Sequence, residues 1–219
     1  MATRSYNQFC ALASALDYVG ERWTLLIIRE LLIGPRRFKD LLQGLPCIST
    51  NLLAERLKTL EQQGIICQRV LPPPAGSTVY ELTALGRSLE RPILELGRWG
   101  AQLLPDSLEG IELPSLGSIA VAMKAFFRPD RAMNIDETYA LQFEEESLQV
   151  QIKQGEITVQ QGAYQRSDAV FHTNMPAFLG LFTGRITPED AISGGLVRIE
   201  GDPQALSRFL NVTGLSAAQ

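Results

Sequence analysis

The sequence is poor in the residues that build metal sites and disulfide frameworks. It has one histidine, His172, and three cysteines, Cys10, Cys47 and Cys67, with no CxxC pair among them. An odd number of unpaired thiols excludes a disulfide scaffold, and one imidazole without neighbouring thiols excludes a zinc cluster. No apolar run approaches the roughly 18–20 residues that a membrane span needs. The opening MATRSYNQFC also lacks the charged-then-apolar order of a secretory signal. These absences lead to the expectation of a cytoplasmic protein with reduced thiols and no metal or cofactor. Equally missing are a nucleophile elbow, a phosphate-cradling glycine loop and a paired acidic motif. Gly194-Gly195 reads as a helix end, and His172 has no Asp, Glu or Cys at a recognisable spacing. No catalytic residue is assigned, and the expectation is a protein that is not an enzyme.

The material for packed cores is ample: 219 residues, 45% of them apolar, with a net charge of −4. The charge is unevenly spread. Residues 1–104 hold 12 Lys/Arg against 9 Asp/Glu, net +3, and residues 105–219 hold 8 against 15, net −7. A basic half joined to an acidic half points to two modules with different partners.

In the first half, residues 9–19 and 23–33 have helical apolar spacing, and Gly34-Pro35 stops the second helix. RRFKDLLQGLP follows, with Phe38, Leu41 and Leu42 on one face and Arg36, Arg37 and Lys39 near its start. Next comes STNLLAERLKTLEQQG, residues 49–64. Ser49 suits an N-cap, Leu52, Leu53, Leu57 and Leu60 make a buried stripe, and Gly64 fits the left-handed position that ends many helices. IICQRVL and TVYEL then read as strands around the turn PPPAGS. A long helix over 83–103 should be kinked at Pro92.

Helices ending in a two-stranded hairpin describe a winged helix-turn-helix. The leucines seat residues 49–63 on the preceding helices, and the other face meets the major groove of double-stranded DNA. Candidate DNA contacts are Arg36, Arg37 and Lys39 on phosphate, Arg56 and Lys58 at the groove edges, and Ser49, Thr50 and Asn51 at the amino end. Asn51 has the amide that pairs bidentately with adenine. The run "ALDYVGERWTLLIIRELLIGPRRFKDLLQGLPCISTNLLAERLKTLEQQGII…YELTALGRSL" resembles the HxlR family of bacterial transcriptional regulators over about residues 8–104. That resemblance implies a homodimer on a roughly palindromic operator, with the first and last helices forming the dimer contact. It does not extend to the wing tip, where AGST stands in place of the basic residue common in the family. Cys10 lies where members often carry a cysteine, which in some senses oxidants or electrophiles, although Ala11 replaces the usual proline.

Residues 105–118, PDSLEGIELPSLGS, read as a linker. A helix near 119–127 follows, and then alternating Tyr139, Leu141, Phe143; Leu148, Val150, Ile152; and Ile157, Val159 predict an antiparallel meander. MPAFLGLFTG reads as a short apolar helix, and Thr187-Pro188 begins another. LVRIEG is a strand and PQALSRFLNVT a closing helix. Residues 118–213 resemble the sterol carrier protein fold, whose members hold apolar molecules between sheet and helices. In this chain Met175, Phe178, Leu179 and Phe182 would line such a space; ordinary core packing asks for the same residues.

The expectation is therefore a two-domain α+β chain. A winged-helix domain spans 1–104, a linker 105–117, and a sterol-carrier-like domain of antiparallel sheet with covering helices 118–219. As a function, this reads as a homodimeric DNA-binding regulator whose second domain answers to an apolar small-molecule effector. Two alternatives stand beside it: a thiol sensor working through Cys10, and a lipid-binding protein whose amino module only dimerises.

Overall fold

The computed structural model describes residues 5–72, 76–105, 110–144, 146–162 and 166–214. Two expected segments, the PPPAGS turn and the 105–117 linker, fall partly outside these residues, as does Glu145 of the EEES turn. The chain forms two compact units, Met1–Ile93 and Leu94–Gln219.

The first unit runs α1 (Ala11–Val19), α2 (Thr24–Leu31), α3 (Phe38–Gly44), α4 (Thr50–Gln62), β1 (Ile66–Val70), β2 (Thr78–Leu82) and α5 (Ala84–Arg87), and enters α6 (Glu90–Ala101). Its core is Ile27, Ile28 and Leu31 of α2, Leu41 of α3, and Leu53, Leu57 and Leu60 of α4, all buried. Leu52, expected in the same stripe, is only half-buried. The Ser49 hydroxyl accepts the Leu52 N–H at 3.3 Å and starts α4. The Ile65 N–H reaches the Leu60 carbonyl at 2.9 Å and the Gly64 N–H reaches Glu61 at 3.0 Å. With Gly64 at φ +69°, this is a Schellman closure, which turns the chain directly into the wing.

β1 and β2 pair antiparallel from Ile66↔Leu82 to Val70↔Thr78. Arg36 adds a one-residue third strand, exchanging backbone hydrogen bonds with Tyr80 at 3.0 and 2.7 Å. The single kinked helix expected over 83–103 is two helices, α5 and α6. The break falls at Ser88-Leu89, ahead of Pro92. Pro92 sits in the first turn of α6, where a missing N–H leaves no helical bond unmade, so it produces no kink. Thr83 begins α5 by accepting the Gly86 N–H at 3.1 Å, and its hydroxyl donates to the Gly64 carbonyl at 2.7 Å. A Cβ on Gly86 would lie 2.1 Å from the Ile65 carbonyl oxygen, so only glycine lets α5 close on the wing.

The boundary between units lies within α6, ahead of the residue-104 division read from composition. The Arg98 guanidinium, on the last turns of α6, donates to the Ala125 carbonyl, also in the second unit. That unit continues with α7 (Leu116–Ala125), α8 (Pro129–Ala132), β3 (Asp136–Phe143), β4 (Glu146–Lys153), β5 (Glu156–Gln161), β6 (Ala169–Thr173), α9 (Met175–Phe182), α10 (Pro188–Ser193), β7 (Val197–Gly201) and α11 (Ala205–Thr213).

The sheet order is β5-β4-β3-β6-β7. β3, β4 and β5 form the expected antiparallel meander. β6 was not foreseen, and it pairs parallel to β3 while β7 pairs antiparallel to β6. The sheet is therefore mixed rather than wholly antiparallel. Ala169, Val170 and Phe171 of β6 are all buried, so a central strand lacks the alternation that marks a half-exposed one. No helix among the described residues is long and apolar enough to cross a membrane.

Candidate nucleic-acid interface

Helix α4 is two-faced. Leu53, Leu57 and Leu60 are buried, while Ser49, Thr50, Asn51, Glu55 and Lys58 are exposed along the opposite side. The polar groups at its amino end are not consumed by the fold, apart from Ser49, whose hydroxyl caps the helix. Such a helix end is suited to enter the major groove with its first turn leading. On α3, Arg37 and Lys39 are exposed, and the Arg37 N–H is capped by the Asp40 carboxylate at 2.9 Å.

Two of the arginines expected on DNA are taken up by partners within the fold. Arg36 is 5% exposed, and its guanidinium lies 3.8 Å from the Glu30 carboxylate. Glu30 is fully buried and also takes two hydrogen bonds from Arg29, at 2.9 and 2.7 Å. A buried carboxylate without cationic partners costs several kcal/mol, so Glu30 claims both guanidiniums. That, with its backbone role in the wing, corrects the assignment of Arg36 to phosphate.

Arg56 is engaged within the fold as well. Its side chain is 16% exposed and bonds the Arg22 carbonyl at 3.3 Å, Glu21 at 3.1 Å and Glu55 at 3.2 Å. The cations left facing solvent from the expected set are Arg37, Lys39 and Lys58. Sequence reasoning missed Arg69 on β1, which is 48% exposed and paired with Glu81 at 3.0 Å. Its signal was present: Arg69 lies on the wing strand after Ile66, just where that strand leaves the core. It missed Arg22 too, an exposed guanidinium stacked 5.5 Å over the Trp23 ring.

The model of the HxlR-like helix-turn-helix family matches residues 18–107. The HTH-type transcriptional regulator YodB of Bacillus subtilis is 41% identical over 97 residues, covering 44% of this chain and 87% of YodB. The regulator sll1512 of Synechocystis is 36% identical over 98 residues, covering 45% of this chain and 73% of that protein. The chain belongs to the HxlR-like family. Like these relatives it is a transcriptional regulator with a DNA-binding helix-turn-helix. Reduced YodB, as a solved structure, is 39% identical and covers 46% of this chain and 99% of its own, with a TM-score of 0.40.

Beyond the HxlR-like segment, residues 122–213 match the model of the SCP-2 sterol transfer family. In this unit Phe178 and Phe182 are fully buried, whereas Met175 and Leu179 are half-buried. Phe178 meets Phe143 edge-on at 5.4 Å and stacks on Phe182 at 5.8 Å. A second ring group joins Tyr139, Phe171 and Phe209 at 5.1 to 5.7 Å. The rings named for a ligand are thus already in contact with one another.

The hydroxyl of buried Tyr139 donates to Glu137, which also accepts from Arg208 at 2.8 Å; Arg208 donates further to Asp202 at 2.7 Å. Burial, reinforced by the Glu137 carboxylate, raises the Tyr139 pKa. The Gln204 amide and Arg208 hold Asp202 below its ordinary range. Sequence reasoning missed this chain, whose only local signal is Glu137 and Tyr139 two apart on one strand face. His172 sits at the surface, its Nε2 3.0 Å from Glu200, which also binds Arg198 at 2.9 Å. Cys10, exposed at the start of α1, has its thiol pKa lowered by the backbone amides of Ala13 and Leu12. Among the described residues no group of three His, Cys, Asp or Glu is arranged to hold a metal ion.

Proposed function

We propose that the chain is a homodimeric, sequence-specific regulator acting on double-stranded DNA in the cytoplasm, without catalytic activity of its own. The observation that carries this reading is the exposed row Thr50, Asn51 and Lys58 on a helix whose other side is fully committed to the core. Asn51 reads a base, Thr50 offers a hydroxyl or methyl contact, and Ser49 stands at the entry to the groove. Arg37, Lys39 and Lys58 neutralise phosphate. With about 3–5 phosphate contacts per subunit, a dimer makes about 6–10, enough for roughly a thousandfold or greater loss of affinity between 50 and 200 mM salt. Binding isotherms on a duplex recovered by the protein from a random-sequence pool test this. Affinity flat across that salt range rejects it.

Dimerisation is supported by apolar side chains that their own units leave in solvent. Leu12 and Leu16, one turn apart on α1, are exposed, as is Phe9 just ahead of it, and α6 exposes Leu96 and Trp99. We assign these faces to a second copy of the chain on a roughly palindromic operator. A monomeric mass at micromolar concentration in equilibrium sedimentation contradicts that assignment.

The second unit, by its likeness to the SCP-2 sterol transfer family, is assigned an apolar effector held near Met175, Phe178, Leu179 and Phe182. The effector regulates only through different affinities for DNA-competent and incompetent arrangements. Solvent extraction of the purified protein followed by mass spectrometry identifies it. If its removal leaves operator affinity unchanged, the unit is a structural support instead.

One observation favours a second reading. The exposed, acidified thiol of Cys10 lies at the start of α1, so its oxidation or alkylation would alter the helix assigned to the dimer. Peptide mapping after mild electrophile treatment tests it, and equal labelling of all three cysteines removes it.

A further inference from the structure

Arg56 has the position of a DNA contact but the bonding of a clamp. It projects from α4, yet its guanidinium is spread over the turn between α1 and α2: Nε donates to the Arg22 carbonyl at 3.3 Å and Nη2 to Glu21 at 3.1 Å. Its remaining arm, Nη1, is taken by Glu55 at 3.2 Å. The turn it grips is unusually constrained. Trp23, a bulky aromatic, holds φ +77°, a conformation that costs an L-residue about 1–2 kcal/mol and persists only where the surroundings impose it. Gly20 closes α1 on the Leu16 carbonyl at 2.9 Å, directly ahead of Glu21 and Arg22, so the turn is continuous with the end of α1.

We propose that Arg56 is a positioning residue: it fastens α4 to the α1–α2 turn through Glu21 and the Arg22 carbonyl, so that the orientation of the DNA-reading helix follows that of α1. Glu21 belongs to the same device. Although acidic, it supports DNA binding, because it holds the guanidinium that holds α4. Whatever displaces α1 thereby reaches the groove-facing residues within one side chain's length. This rests on α4 being the reading helix, and the test distinguishes failure of that reading from failure of the clamp alone.

The test measures affinity for the duplex recovered from the random-sequence pool, at stepped potassium chloride, with a thermal melt of every variant. Arg56→Gln weakens binding by about 2–30-fold, the range for residues that couple sites without touching ligand. Glu21→Gln also weakens binding, although removing an acidic charge near DNA would by itself tighten it. The double variant is no weaker than Arg56→Gln, because both changes break one linkage. Arg56→Lys does not restore affinity, since an ammonium cannot bridge the same partners. Arg37→Gln lowers the slope of log affinity against log salt by about 0.9 for each phosphate it ceases to neutralise, whereas Arg56→Gln leaves the slope at the wild-type value.

A slope reduced by Arg56→Gln, rescue by Arg56→Lys, or tighter binding by Glu21→Gln overturns the clamp in favour of a phosphate contact. Lowered melting temperature with unchanged affinity overturns it in favour of a purely structural tie. Unchanged affinity in both Asn51→Ala and Lys58→Ala removes α4 as the reader, and the clamp with it.

Discussion

Helix α4 buries Leu53, Leu57 and Leu60 and keeps Thr50, Asn51 and Lys58 in solvent, whereas α9 exposes only Pro176 and buries Ala177, Phe178, Leu181 and Phe182. The first helix has polar side chains that its own core does not take up, and these are the ones proposed to meet DNA. The second is apolar on nearly every side. Its residues serve core packing and ligand lining equally well, so the same helix is compatible with two functions. An amphipathic helix with a polar ridge therefore carries more functional information than an apolar one of the same length.

Four measurements break or sharpen that comparison. The largest effect falls on α9: Phe178→Ala costs about 3–5 kcal/mol if its contacts with Phe143 and Phe182 are true core packing. Urea unfolding of the full chain, followed by a probe in the second unit, reads this, and a change near zero would mean that Phe178 borders open space. On α4, Asn51→Ala removes about 1–3 kcal/mol of discrimination at one base position and leaves the melting temperature unmoved. Competition between duplexes substituted at each position locates the effect, and a uniform weakening across sequences contradicts base reading. Gly64→Ala places a Cβ at φ +69° and costs about 1 kcal/mol of stability through the left-handed penalty alone. An unchanged melt would show that the closure of α4 relaxes. The smallest effect is Lys39→Gln, which lowers the salt slope by about 1 for each phosphate left without its ammonium and does not change sequence preference. Titrations on specific and random duplexes separate the two.

Much of the first unit was legible because its signals are local. The leucine spacing, the Ser49 cap and the Gly64 stop each act within one or two helical turns, and the structure realises all three. The hairpin followed from β-branched runs around a turn. What failed was the choice among arginines. Arg36, Arg37 and Arg56 look alike along the chain, yet Arg36 answers to buried Glu30 and Arg56 to Glu21. In the second unit β6 escaped because a strand buried at the middle of a sheet has no two-residue alternation to betray it. Glu137, Tyr139, Asp202 and Arg208 escaped for a related reason: strand and helix residues that meet only after folding share no spacing.

The sequence by itself determined the order of most elements, the two-unit composition, and which face of α4 is polar, since each depends on the character of residues a few positions apart. The tertiary structure alone decided which cations stay in solvent, where Pro92 falls in its helix, and that β6 runs parallel to β3. The tie of Arg56 to Glu21 and the pairing of β6 with β3 turn on partners far along the chain. The Glu21–Arg56 pair, 35 residues apart, has its energy set by distance in space, on which local spacing is silent.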